Sequence, residues 1–218
     1  MALLYNNDPS RGMENRAPMG LIGSRPGKGQ LLVGIYGKKF SFTYHAGQQQ
    51  YANLPKNQYA FRYLVSASRL INALATSQID RAVVPVRNSA GGTVQQIADA
   101  MRGHELEQMA EFGMVINHCL MVLPGKTLKQ IQRVTSHPQA NIQCADWLQK
   151  QLPGVKIVDH EDTAYAARQL AHGELGTDTA VIASADAAEH NHLTVLAERI
   201  QDAGEENITT FVVLRRRI

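Results

Sequence analysis

Short apolar runs alternate along this chain with stretches whose apolar residues recur at helical spacing, and that alternation predicts the elements. Residues 1 to 29 carry Asn, Pro, Gly and Arg without apolar periodicity, which predicts a mobile or surface-draped extension. Leu31 to Tyr36 then reads as a buried strand ending in a glycine turn. From Tyr59 to Leu74 the positions Phe61, Leu64, Val65, Ser68, Ile71 and Leu74 follow helical spacing and predict one helix. Arg81 to Val86 reads as a strand, Val94 to Met101 as a helix, and Met114 to Leu123 as a second apolar stretch closed by Pro124-Gly125. Thr127 to Val134 is a helix-to-strand passage, and Ala140 to Leu152 a helix ended by Pro153-Gly154. Val155 to Val158 is a strand, Thr163 to His172 a helix closed by Gly173, and Thr179 to Ala183 a strand. Ala185 to Glu189 adds a helical turn, and Phe211 to Leu214 is the last strand.

Strands alternating with helices predict an α/β fold with largely parallel sheets, which bind ligands in the crevice beyond the carboxyl ends of their strands. Three polar clusters fall there: Arg87-Asn88-Ser89, Ser136-His137-Pro138-Gln139, and Ser184.

Composition narrows the function classes. With 44% hydrophobic and 19% charged residues the 218-residue chain has a globular balance. No apolar run approaches the ~20 residues that span a bilayer, and no signal-peptide pattern opens the chain, so no membrane partner is expected. Net charge is only +3, partly from Arg215-Arg216-Arg217, and no basic stripe marks a nucleic-acid face. Cys119 and Cys144 are too few for a disulfide framework, which predicts a reducing, cytoplasmic setting. The histidines show no metal spacing with an acidic partner, and neither a dinucleotide fingerprint nor a phosphate loop is present, so no metal or cofactor is expected.

Residue by residue, the polar clusters admit two readings. Asn88 to Thr93 fits a turn with a helix cap, and equally an anion cradle of backbone N–H groups and hydroxyls at a helix start. Ser136 to Gln139 fits a cap for the helix from Ala140, with proline in its first turn. His137 alone reads as a hydrogen-bonded structural residue, Cys144 as packing, and His190 and His192 as surface.

Taken in order, the clusters carry a family resemblance. Val83-Val84-Pro85-Val86-Arg87-Asn88-Ser89, then Gly92-Thr93 and Ala98-Asp99-Ala100, resembles the prephenate dehydratase segment in which Pro-Ile-Glu-Asn-Ser precedes Gly-Thr. Glu111 with Ile116 to Leu120, Ser136 to Ala140 with Gln143-Cys144 and Trp147-Leu148, Asp162 to Ala167, Ala180 to Ser184, and Asn207 to Phe211 resemble its later motifs. Gly34 and Gly37 with Ser41 to Ala46 resemble its opening, with extra residues between. The resemblance covers about residues 32 to 214. It implies two α/β lobes like a periplasmic-binding-protein core: lobe 1 about 30–115 plus 190–218, lobe 2 about 116–189, with the active site in the cleft. It implies prephenate as a small-molecule substrate, a homodimer, and Thr209, of the closing motif, as donor to the leaving ring hydroxyl. Ser136 is carried over as a further catalytic position, and Asn88, Ser89, Gly92, Thr93, His137, Gln139, Thr163, Ala164, Thr210 and Phe211 as substrate-binding ones.

Three departures shape the expected chemistry. Arg87 stands where the family has Glu and Thr210 where it has Arg, and with the sequence reaching Ile218 the regulatory ACT domain usual in biosynthetic dehydratases is not expected. Arg87 is expected to contact a substrate carboxylate in place of the arginine missing at Thr210. With Thr210 neutral, the ring hydroxyl is expected to be retained. The favoured reading is then a non-aromatising prephenate decarboxylase of natural-product (antibiotic) biosynthesis, with His45 or His118 considered as proton donors. The alternative is a prephenate or arogenate dehydratase without ACT regulation, and a binding protein on the same scaffold is a third.

Overall fold

Leu31–Tyr36 forms β1, and Leu32 to Ile35 are buried on both faces, as an unbroken apolar run requires when helices cover a sheet from either side. The computed structural model describes residues 29–217, so the expected extension lies outside the described residues except for Gly29. After β1 come α1 (Phe42–Gln50), β2 (Tyr59–Leu64), α2 (Ala67–Ala75), β3 (Arg81–Asn88), β4 (Gly92–Thr93), α3 (Gln95–Met101) and β5 (Leu106–Val115). The chain then crosses to β6 (Cys119–Val122), β7 (Arg133–Ser136), α4 (Pro138–Gln143), α5 (Ala145–Gln151), β8 (Lys156–Asp159), α6 (Thr163–Ala171), β9 (Thr179–Ala183), α7 (Ala185–His190) and β10 (Thr194–Ala197). It crosses back through residues 198–207 to end in β11 (Ile208–Arg216).

Two sheets result, β2-β1-β3-β11-β5 with β4 on β3, and β10-β6-β9-β7-β8. Each sheet has a parallel trio at one end, centred on β1 or β7, and antiparallel strands at the other. The sheets are therefore mixed rather than largely parallel, because β11 and β6 each follow a crossover and run against the trio. Since β10 pairs with β6 in the second sheet, the return to the first begins at the crossover after Ala197, later than residue 190.

Helices cover both faces of each sheet. Leu70, Ile71 and Leu74 of α2 and Ile97 of α3 pack on Val84, Val212 and Leu214, while Tyr44 and Ala46 of α1 pack opposite on Ile35, Val83 and Phe211. In the second sheet Cys144 and Leu148 lie in the core on one face, and Ala166, Leu170 and Ala187 in that on the other.

The single helix expected over Tyr59 to Leu74 is a strand followed by a helix. Tyr59, Phe61 and Tyr63 alternate as strand formers and pair in parallel with β1 from Leu31↔Tyr59 to Tyr36↔Leu64. Helix begins only after Ser66, whose hydroxyl accepts the Arg69 N–H. The helix expected over Ala140 to Leu152 is broken at Cys144 into α4 and α5, and its second part is capped by Asp202, whose carboxylate accepts the N–H groups of Asp146 and Trp147. α1, β5 and β10 are absent from the sequence reading. β5 escapes because its sequence mixes Glu, Gln and Gly with apolar residues, and its place beside β11 is set by tertiary pairing.

Gly34 lets α2 approach β1. A Cβ there would overlap the terminal carbons of Ile79 and Leu70. Gly34→Ala is expected to overpack this contact and cost about 1–3 kcal/mol, read as a lower urea midpoint at unchanged slope; an unchanged midpoint would mean that the two side chains yield freely.

Candidate active site

β3 contains one residue too many for its partner. Opposite β11, Asn88 pairs with Thr209 and Arg87 with Thr210, but the next pair is Pro85 with Phe211, so Val86 is a bulge. Side chains alternate along a strand, and the extra residue turns Pro85 to the same side as Asn88. Proline, lacking an N–H, is tolerated at such a place. Pro85, Asn88, Thr209 and Phe211 thereby form one wall of a cavity of about 370 Å³ between the two sheets.

Asn88 is 4% exposed and fully engaged. Its Oδ1 accepts the N–H groups of Ala90 (3.0 Å) and Gly91 (2.9 Å), and its Nδ2 donates to Asn207 Oδ1 (2.9 Å) and Thr209 Oγ1 (3.0 Å). Because Thr209 Oγ1 accepts from Asn88, its own proton is free to point into the cavity. Asn207 Nδ2 and His118 Nε2 both reach Gln143 Oε1, at 3.3 and 2.7 Å. Both are donors there, which fixes His118 as the Nε2–H tautomer and leaves Nδ1 bare.

Helix starts complete the lining. Ser41, Phe42 and Thr43 come from the start of α1, Gln95 and Gln96 from α3, His137 to Gln139 from α4, and Glu161 to Thr163 from α6. Gln139 faces Gly91 across the cleft, where a Cβ would overlap its amide. Burial lowers the His137 pKa, opposed by Asp162 and Asp159, and its Nδ1 caps α4 by accepting the Gln139 N–H. Among the described residues lining the cavity the charged ones are Glu161 and Asp162, and no arginine or lysine is present.

Of the positions expected from sequence, Asn88, Thr93, His137, Gln139, Thr163, Thr209 and Phe211 come together on this lining. Arg87, Ser89, Gly92, Ser136, Ala164 and Thr210 do not. Arg87 is exposed and pairs with Thr210 across the strands, both turned away from Asn88 and Thr209. Ser136 is fully buried and donates to Ile182 O at 2.6 Å, tying β7 to β9. Ser89 accepts the Ile208 N–H and donates to the Glu206 carbonyl, holding the start of β11, and Ala164 packs in the core under α6. His45 lines a separate cavity with Asp186, 3.4 Å from its Nδ1. Sequence reasoning assigned no site role to Tyr36, Gln143, Asp162 or Asn207. The last three sit inside quoted motifs, and only the folded contacts separate them from their neighbours.

Burial brings the His118 pKa down from 6.5 to about 4, partly offset by the bond to Gln143. Protons therefore bind the unfolded chain first as the pH falls. His118 makes its contribution to stability above pH 6.5 and loses it on the way to pH 4, by about 2 kcal/mol between pH 7 and pH 5. In urea titrations at those two pH values, His118→Gln is expected to flatten the loss by that amount. An unaltered loss would exclude His118 as the group responsible.

Comparison with known proteins places this architecture. Arogenate dehydratase 1 of Petunia hybrida is 44% identical over 137 residues, 63% of this chain and 32% of that protein. Chloroplastic arogenate dehydratase 3 of Arabidopsis thaliana is 33% identical over 218 residues, 97% of this chain and 49% of that one. The chain thus spans a third to a half of the length of these relatives. The crystal structure of prephenate dehydratase from Arthrobacter aurescens in complex with L-Phe superposes with a TM-score of 0.73 at 25% identity, over 86% of this chain and 61% of that one. A periplasmic substrate-binding protein of an ABC transporter from Coxiella burnetii shares the fold alone, with a TM-score of 0.50 at 17% identity over 86% of this chain and 84% of that one. Residues 33–218 match the prephenate dehydratase family, and with the two-lobed fold around one cleft the chain belongs to that family.

Proposed function

We propose that this chain catalyses the decarboxylating dehydration of a prephenate-type cyclohexadienyl acid, forming an aromatic ring with loss of CO2 and water. The observation that carries the reading is the Thr209 hydroxyl, which accepts a hydrogen bond from Asn88 and keeps its proton for a group in the cavity. When the bond from the ring to its carboxylate breaks, its electron pair moves through the ring and expels the hydroxyl at the opposite carbon. Thr209 O–H donates to that departing oxygen as negative charge grows on it, and one proton overall converts it to water. Asn88 is itself polarised by two backbone N–H groups, so the donor chain Ala90/Gly91 to Asn88 to Thr209 strengthens as charge develops. Phe42, Ile116 and Phe211 give the departing CO2 and the forming ring an apolar wall, and the helix starts offer N–H groups to carboxylates in a lining without arginine or lysine.

The non-aromatising decarboxylase is the weaker reading. It rests on a charge exchange between Arg87 and Thr210, and those residues are cross-strand neighbours outside the cavity lining. Nothing in their position withdraws the Thr209 donor from the ring hydroxyl. The relatives, named arogenate dehydratases, favour the aromatising outcome as well.

Product analysis with prephenate and arogenate tests the reading: phenylpyruvate and phenylalanine are expected, and a non-aromatic acid as main product would overturn it. Thr209→Val should lower turnover by roughly 10²–10⁴-fold, while Thr209→Ser, which keeps the hydroxyl, should retain most of it. Arg87→Ala should leave kcat/KM within about threefold, since loss of an exposed side chain away from the site is worth little. A severe loss in a folded Arg87→Ala protein would return Arg87 to the site.

A further inference from the structure

Asp162 does more than cap a helix. Its Oδ1 accepts the Tyr165 N–H at 2.7 Å, and its Oδ2 accepts the Lys38 N–H at 3.2 Å from the opposite lobe. Gly37 comes so close that a Cβ there would stand 2.9 Å from Oδ2, and its φ of +112° disfavours any other residue. A cap needs no charge, and the other helix starts around the cavity use Ser41, Val94 and His137. Only α6 brings a carboxylate, and it is 7% exposed on the cavity lining.

Buried carboxylates are normally matched by a cation. Among the described residues no lysine or arginine forms an ion pair with Asp162. Lys38 instead holds its ammonium over the Tyr165 ring, 4.8 Å from the centroid. Among the described residues the ionisable groups that favour the charged carboxylate are the imidazoles of His137 and His160, and burial keeps His137 toward its neutral form. Burial also raises the Asp162 pKa, opposed by the two N–H donors. Glu161 lies on the same wall. At the start of α6 the lining thus presents carboxylates that call for a donor with positive charge.

We infer that Asp162 is a specificity residue that receives the ammonium group of a 2-amino acid substrate, arogenate rather than the 2-keto acid prephenate. The inference rests on the dehydratase reading and adds the end of the substrate remote from the ring hydroxyl. With the hydroxyl at Thr209 of one lobe, the side chain extends toward the start of α6 in the other. The amino acid brings a cation to the unpaired carboxylate. The keto acid brings two carboxylates and no cation to a wall that already holds two acids. A site that hydrogen-bonds one substrate group discriminates strongly against the analogue lacking it.

The experiment is steady-state kinetics on arogenate and prephenate for the wild-type chain and Asp162→Asn, scored by phenylalanine and phenylpyruvate formed. Asparagine caps as well as aspartate, so the change removes charge and leaves the helix start, which melting temperature verifies. The expected result is a wild-type preference for the amino acid, and a fall of at least about tenfold in the arogenate-to-prephenate ratio of kcat/KM in the variant, carried mainly by KM for arogenate. Should Asp162→Asn not fold, Asp162→Ser, another good cap, serves the same comparison. Aromatic product from both substrates with an unchanged ratio, or a wild-type preference for prephenate, would overturn the role of Asp162 and leave the dehydratase reading standing. Absence of aromatic product from either substrate with folded wild-type chain would overturn the dehydratase reading and this inference with it.

Discussion

The site depends on one amide. Asn88 is held by the N–H groups of Ala90 and Gly91 on one side and holds Thr209 and Asn207 on the other, so its two functional atoms have a single workable orientation. That arrangement requires β11, the last strand, to lie beside β3, more than a hundred residues earlier in the chain. It also requires the bulge at Val86, without which Pro85 and Asn88 would face opposite sides. The contact is non-local and forms only when the chain has returned from the second lobe. This wall of the cavity is therefore a product of closure of the whole fold rather than of any local segment.

Electrostatics divides the cavity into two ends. Near β11 the groups are neutral: Asn88, Thr209, Gln143 and a His118 whose burial keeps it uncharged at neutral pH. Near α6 the lining carries Glu161 and Asp162. Helix starts and neutral donors are well suited to a reaction in which charge migrates, because they stabilise negative charge without themselves gaining or losing a proton. Under the proposed reaction, a fixed cation would bind a substrate carboxylate tightly beforehand and so oppose its departure as CO2. The position of Arg87 outside the lining is consistent with that demand.

How much of this was legible in the sequence follows from which interactions are local. Buried strands such as Leu31–Tyr36 and Thr179–Ala183 announce themselves because helices on both faces require continuous apolar residues. The helices from Thr163 and Ala185 were read at their true starts, where Asp162 and Ser184 cap within three residues, whereas the caps Ser41 and Ser66 went unread. β5 and β10 were not legible, as their pairing is chosen by distant strands. In the site, ordered motifs located Asn88, Gln139 and Thr209 but could not separate the inward from the outward members of each string. Arg87 beside Asn88, Thr210 beside Thr209 and Ser136 beside His137 differ from their neighbours by one step of the pleat or turn. That step was decided for β3 by a bulge that no composition rule predicts.

The floor of the cavity is also the connection between the lobes. Ile116 N–H donates to Asn207 O and Ile200 N–H to His118 O, so the two crossovers are hydrogen-bonded to each other. Gln201 adds its side chain, accepting from His118 N–H and donating to Asn117 Oδ1 and Gly204 O. From this knot Asn207 reaches Asn88 in the first lobe and Gln143 in the second, while His118 also meets Gln143. Any rotation of one lobe against the other must turn about these residues, and they include the partners that orient Thr209. The end of α4 in the second lobe and Thr209 on β11 in the first are therefore linked through a shared polar hinge. Its members have few spare hydrogen-bonding sites, so a change in lobe angle at Gln143 is passed to Asn207 and Asn88 rather than absorbed by solvent.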